Sequence, residues 1–414
     1  MGGTFRSLNG YNYRLWAGGA LASNIGTWMQ RTAQDWLVLT GLTHNNATAL
    51  GVVVALQFAP QILLLPVTGF AADHFPRRKL LIATQVAMGA LALGLGLLTL
   101  SGQVQLWHVY VFAFALGCVT AFDSPARQTF VPELVGEIDL PNAVALNSAS
   151  FNVARMVGPA VAGILIGVLG SGMLFLINAA SFAAVIVSLS LLRVGDLHLN
   201  SRAVRTRGSL AEGFGYVWKR PDLKAIHVMF FLIGTFCLNF AIFISTMAVS
   251  VFHVGASQYG LLTSLMALGS VGGALLAAGR SQPRATALFT ATAILGCAFA
   301  ISAFMPSYWA FGLMLIIMGA SAQNFNTISI STVQLTTEPA MRGRVMAILL
   351  AMAMGGTPLG APILGWVADV FGPRWSLGVG ALAAFGAAAV GIVYFARYRR
   401  ENLSSAVVIE GAGR

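Results

Sequence analysis

The chain has 414 residues, of which 57% are hydrophobic and only 9% charged, with a mean hydropathy of +0.78. An ordinary soluble domain carries about 25% charged residues, so a cytosolic enzyme or nucleic-acid binder is effectively excluded and a polytopic membrane protein is expected. The net charge of +11 does not restore a nucleic-acid partner, because the basic residues fall between apolar runs instead of along one face.

In chain order, single spans are predicted at about 15–40 and 48–71. Four uncharged stretches follow: Leu80–Phe122, Met156–Leu192, Ala225–Gly279 and Ala285–Thr337. Each holds two helices of about 20 residues, and they break at Ser101-Gly102-Gln103, Gly170-Ser171-Gly172, His253–Ser257 and Met305-Pro306-Ser307. Single spans at 345–369 and 375–396 complete twelve. Helices are required because an open sheet cannot satisfy its backbone in lipid, and the runs lack the alternation of barrel strands. The expected fold is an all-α membrane protein of two six-helix bundles: residues 1–192, a cytoplasmic linker 193–222, residues 223–396, and a cytoplasmic tail 397–414 expected to be disordered. Within the linker, Leu210–Trp218 reads either as a helix lying on the inner leaflet or as plain basic linker.

Of the 24 Lys and Arg, 21 fall in segments that are cytoplasmic if the chain starts inside, and Arg374 alone falls outside. The positive-inside rule then places both termini in the cytoplasm of a plasma (inner) membrane protein. The first ten residues are polar and no cleavable leader is expected. Cys118, Cys237 and Cys297 lie in apolar runs at wide spacing and are expected to be buried, inert thiols.

Arg31 and Arg155 fall inside spans, where a charge costs about 2.5–3.5 kcal/mol. Arg31 and Asp35 are four residues apart and share a helix face, with Gln34 close by. Asp35 precedes Thr40 by five residues, about 8 Å below the outer end by helical rise. Its protonation is set by competition between burial and the nearby cation, which suits proton coupling; a structural ion pair with Arg31 is the alternative. Arg155 lies near mid-membrane, to pair with Asp35, an anionic substrate, or carbonyls freed by Pro159. Gln34 and Arg155 are the first half's candidates for a substrate cavity; in the second half the polar candidates are Asn239, Gln323, Asn324 and Asn326, of which Asn324 and its neighbours could instead tie helices together. Such a cavity suits an amphipathic small molecule better than a sugar or an inorganic ion.

No His-Glu-x-x-His motif and no Gly-x-x-x-x-Gly-Lys-Ser/Thr loop occurs, so neither metal chemistry nor ATP is expected, and no cofactor. An intramembrane enzyme would need a histidine at membrane depth, and none is placed for it.

Two six-helix halves joined by a cytoplasmic loop resemble the major facilitator superfamily. Gly69-Phe70-Ala71-Ala72-Asp73-His74-Phe75-Pro76-Arg77-Arg78-Lys79 resembles its loop signature, Gly-x-Leu-Ala-Asp-Arg-x-Gly-Arg-Arg, matching at Gly69, Asp73, Arg77 and Arg78 and departing at Ala71, His74 and Pro76. The resemblance implies conformational gating, with Asp73 facing the start of span eleven near Arg344-Val345. Arg77 can pair with an acid at another inner helix end, such as Asp123; topogenic charge alone is the alternative for the three cations. Gly158-Pro159 and Gly163 resemble the superfamily's antiporter signature with two glycines replaced by Ala154 and Ala162, which implies export by antiport; an ordinary kinked packing helix is the alternative. Phe122–Gln128, Val131-Pro132-Glu133-Leu134, Leu140-Pro141-Asn142-Ala143 and Arg342–Met346 narrow the resemblance to the enterobactin-exporter-like branch, the transmembrane secretion effectors. The expected function is proton-coupled export of a drug, siderophore or similar amphipathic molecule by a monomer in the lipid bilayer. An importer or a lipid flippase on the same fold is the rival.

Overall fold

The computed structural model describes residues 3–198, 210–278 and 285–411. Among them nine helices are long and apolar enough to cross a membrane. One of the nine, Leu140–Ser190, breaks in two at Gly170, whose φ of +75° favours glycine. Two more traverses precede them. Span one is Tyr11–Trp36 with a π-helical end, Leu37–Leu42, and span two is Ala47–Leu63 with Leu65–His74. Spans three and four are Arg77–Leu100 and Leu106–Leu134; five and six are the two parts of Leu140–Ser190. Span seven joins Pro221–Phe236, Phe240–Thr246 and the π-helical Met247–Val251. Spans eight to twelve are Ala256–Ala278, Ala285–Ala303, Tyr308–Thr336, Pro339–Phe371 and Pro373–Gly411.

The expected hairpin breaks are where sequence chemistry put them. Gly102 takes a φ of +71° after Leu100, and Ser307 caps span ten by accepting from the Ala310 N–H. Three features differ from expectation. Span four does not end at Phe122 but runs on to Leu134 through Pro125 and Pro132. The residues from Arg397 continue the twelfth helix as far as Gly411, since Arg397–Glu410 contains neither Gly nor Pro to stop it. Of the cysteines, Cys237 is buried, whereas Cys297 lies exposed on the outside of its helix. The basic linker residues Arg202, Arg205 and Arg207 and the loop Gly279–Arg284 lie outside the described residues.

The chain forms two compact units. The first holds the described residues up to 198 with Ala241–Leu268 and Ala361–Pro373; the second holds 210–240, 269–278, 285–360 and 374–411. In the first, the core at the Arg-rich end gathers Tyr13, Trp16, Leu81, Phe130, Val185 and Leu189. Trp16 and Phe130 meet edge to face at 5.5 Å, and the Tyr13 hydroxyl donates to the Ala143 carbonyl at 2.8 Å. Asn12 donates to the Arg193 carbonyl and accepts its N–H, both at 2.9 Å, which fastens the start of span one to the end of span six. In the second unit, Gly269 and Gly273 of span eight press against the backbone of span ten at Ile316 and Ala320, too close for a side chain.

Candidate functional site

Asp35 is the penultimate residue of the α-helical part of span one, two residues before its π-helical turns, and is buried with 9% of its surface exposed. Arg31 attracts it electrostatically without forming a hydrogen bond or close ion pair with it. The Tyr259 hydroxyl of span eight donates to Asp35 Oδ2 at 3.1 Å, and the Trp36 ring stacks on the Tyr259 ring at 6.0 Å. Arg31 turns its guanidinium over the Trp28 and Phe58 rings, at 5.2 and 5.8 Å from their centroids. Such cation–π contacts hold a cation in lipid without neutralising it. Arg31 Nε, Gln34 Nε2, and Arg155 Nε and Nη2 are buried without a hydrogen-bond partner. Arg155 therefore pairs neither with Asp35 nor with the carbonyls near Pro159. Four unsatisfied donor atoms in one unit are costly, at about 1–3 kcal/mol per group.

The Gly158-Pro159 and Gly163 motif is a contact surface on two sides. A Cβ at Gly158 would meet Trp28 Cβ of span one at 2.6 Å, and a Cβ at Gly163 would meet the Ala256 carbonyl oxygen of span eight, also at 2.6 Å. Gly260 of span eight approaches the Pro159 carbonyl closely in return. Ser257 donates to the Gly163 carbonyl at 3.1 Å and Ser264 to the Met156 carbonyl at 2.6 Å. Pro159 contributes by leaving the helix with one N–H fewer to satisfy.

The same arrangement recurs where span eleven meets span two. Gly365 faces the Ala47 carbonyl and Gly51 faces that of Ala361, while Gly360 abuts Thr235 of span seven. Gly360-Ala361-Pro362-Ile363-Leu364-Gly365 is thus a second copy of Gly158-Pro159-Ala160-Val161-Ala162-Gly163, with the proline moved by one position. The starts of spans two and eight match as well: His44 and His253 take φ of +48° and +52°, each after π-helical turns. In the second copy Asp369 closes the contact, accepting the N–H groups of Ala47 and Thr48 at 2.7 and 2.8 Å and the Thr48 hydroxyl at 2.5 Å. A carboxylate there meets the positive end of span two's helix dipole.

At the Arg-rich side, Arg77 pairs with Glu133, not with Asp123. Because span four continues as helix past Phe122, Asp123 lies inside it and accepts from Thr84, Gln85 and Arg127 at 2.7, 2.8 and 3.1 Å; Glu133 is the acid at the helix end. Arg78 donates to the Leu189 and Ser190 carbonyls at 2.7 and 3.2 Å, satisfying the last turn of span six. Gly69 lies on Leu65–His74, and the Asp73 side chain lies outside the described residues. Arg344, at the start of span eleven, pairs with Glu212 of the helix Leu210–Lys219 at 3.0 Å. In the second unit the Asn239 side-chain amide donates to the Thr235 carbonyl at 2.7 Å and leaves its own oxygen unpartnered. Gln323 donates to Thr327 at 3.4 Å, and Asn324 lies next to it on span ten.

Sequence reasoning did not find Tyr259, Glu133 or the role of Asp369. A tyrosine in an uncharged run reads as packing, Glu133 lies beyond the first charge of span four, and an acid at a span end, such as Asp369, reads as paired with water.

A family model for transmembrane secretion effectors matches residues 4–408. The multidrug efflux pump Tap of Mycolicibacterium fortuitum is 28% identical over 367 residues, covering 85% of this chain and 88% of that protein. The staphyloferrin A transporter of Staphylococcus aureus is 25% identical, covering 84% and 87%, and macrolide efflux protein A of Streptococcus pyogenes is 22% identical, covering 89% and 92%. Among solved structures, a bacterial homolog of the human lysosomal transporter Spinster, inward-facing and occupied, superposes with a TM-score of 0.76 at 14% identity over 95% of this chain and 97% of that one. The protein is therefore a multi-pass membrane transporter with the major facilitator fold, and it belongs to the transmembrane secretion effector family.

Proposed function

We propose that this transporter exports a hydrophobic or amphipathic small molecule across the plasma membrane in exchange for protons. Two six-helix halves, 1–192 and 223–396, rock around one site, and the Arg-rich side faces the cytoplasm. The carrying observation is Asp35, a buried carboxyl whose hydrogen-bond donor, Tyr259, comes from span eight. An ionised Asp35 accepts a charge-assisted bond from Tyr259, which is about twice as strong as a neutral one. Protonation weakens that bond and with it the tie between spans one and eight, so proton binding and helix separation act on each other. The unpartnered donors of Arg31, Gln34 and Arg155 favour a guest that carries an anionic or acceptor-rich group on an apolar body. Relatives named as a multidrug efflux pump and a macrolide efflux protein support the direction.

Inside-out vesicles test the reading. A fluorescent amphipathic dye should accumulate inside them when the lumen is acidified, and should leave when a protonophore is added. Accumulation only in right-side-out vesicles, or accumulation indifferent to the gradient, would refute it. A cysteine at Asn45 that labels from the cytoplasm would overturn the orientation.

A further inference from the structure

The helix Leu210–Lys219 has two faces. On one, Val217 is buried, Gly213 sits against Arg344 and Ile348, and Glu212 pairs with Arg344. On the other, Phe214 and Trp218, four residues apart, are 48% and 67% exposed. An apolar pair presented at the end of a membrane bundle is the mark of a helix that lies in the bilayer interface. Between this helix, span seven and span twelve is a groove of about 960 Å³. Apolar Val228, Val390 and Val393 line it together with Trp218, Arg220, Asp222 and Lys224. Val228 and Val393 are also open to the lipid side, at 36% and 52% exposure.

The charges of the groove do not cancel. Arg220 is bound by both oxygens of Asp222, at 2.9 and 2.5 Å, so that pair is internally neutral. Lys224 holds its ammonium 4.0 Å above the Trp218 ring and has no carboxylate partner among the described residues. Among the described residues the groove therefore offers one uncompensated cation, Lys224, beside apolar residues of which Val228 and Val393 are exposed. Its volume exceeds what a small anion fills, and a soluble peptide would leave the lipid-facing valines uncovered.

We propose that this groove is a binding site for one anionic phospholipid of the Arg-rich side, its phosphate at Lys224 and an acyl chain along Val228, Val390 and Val393. Basic pockets between membrane helices recognise such headgroups, and a cation near the membrane surface contributes about 1 kcal/mol, or about fivefold in affinity. The site is separate from Asp35 and Arg155, and the proposal stands whether or not transport is proton-coupled.

The test is native mass spectrometry of the full-length protein released from nanodiscs of equal phosphatidylglycerol and phosphatidylcholine. The wild type should retain phosphatidylglycerol in preference to phosphatidylcholine. Lys224→Gln should lower that retention about fivefold, Lys224→Arg should keep it, and Val393→Trp, which fills the trough from its lipid-facing side, should lower retention of both lipids. Equal retention of the two lipids by the wild type would overturn the proposal. So would wild-type retention of phosphatidylglycerol by Lys224→Gln or by Val393→Trp.

Discussion

Gly163→Ala isolates the contact between spans five and eight. The added Cβ would lie 2.6 Å from the Ala256 carbonyl oxygen, so the helices must part by about 0.8 Å to reach the 3.4 Å of ordinary contact. That shift lengthens the Ser257–Gly163 hydrogen bond, now 3.1 Å, beyond useful range and stretches the 2.6 Å bond of Ser264. Overpacking costs about 1–3 kcal/mol, and a lost interhelical bond in a membrane adds about 0.6 kcal/mol. A net cost of about 2 kcal/mol lowers the population of the closed contact roughly 30-fold. Gly167→Ala is the control. It is one turn along the same helix face, a Cβ there meets nothing within 4 Å, and it gains the same alanine helix propensity of about 1 kcal/mol. A cysteine at Ser264, 8% exposed, in a background without Cys118, Cys237 and Cys297, reports the opening by its maleimide reaction rate. The rate should rise roughly 30-fold with Gly163→Ala and hardly change with Gly167→Ala. Equal rates in the two variants would refute the close-packing argument.

Arg77→Gln should strand the Glu133 carboxylate, 9% exposed, and lower thermal stability; breaking a buried pair costs about 3–5 kcal/mol, reduced here because Arg77 is partly water-accessible. Arg77→Met with Glu133→Leu should recover much of the loss in a melting assay, whereas Arg77→Gln with Asp123→Asn should not. Asp369→Ala removes three accepted hydrogen bonds and a favourable dipole contact at the start of span two. Asp369 is exposed, so the expected cost is only about 1 kcal/mol. It should show as a lower melting temperature than the wild type, with Asp369→Asn falling between the wild type and Asp369→Ala.

The span pattern was legible because lipid imposes it: charge is expelled from the runs, and Gly102, Gly170 and Ser307 mark the reversals by chemistry that needs no neighbours. What was not legible depends on partners distant in sequence. Hydropathy ends span four at its first charge, but a helix end is set by hydrogen bonding, and Asp123 is tolerated within the helix because Thr84, Gln85 and Arg127 satisfy it. The Arg31–Asp35 spacing suggested an ion pair, yet aromatic faces hold the arginine and a tyrosine 224 residues away holds the acid. The duplicated Gly-Pro contact was half legible. Gly158-Pro159 and Gly163 drew notice through a resemblance, whereas Gly360–Gly365 showed itself only when its carbonyl partners on span two were known.

In the proposed mechanism Asp35 carries the exchanged proton. In proteoliposomes with an imposed pH step, Asp35→Asn should bind the dye as the wild type does yet fail to move it uphill, and Asp35→Glu should retain part of the uphill transport. Full gradient-driven transport by Asp35→Asn would contradict the account and leave the Asp35–Tyr259 hydrogen bond as a purely structural tie between spans one and eight.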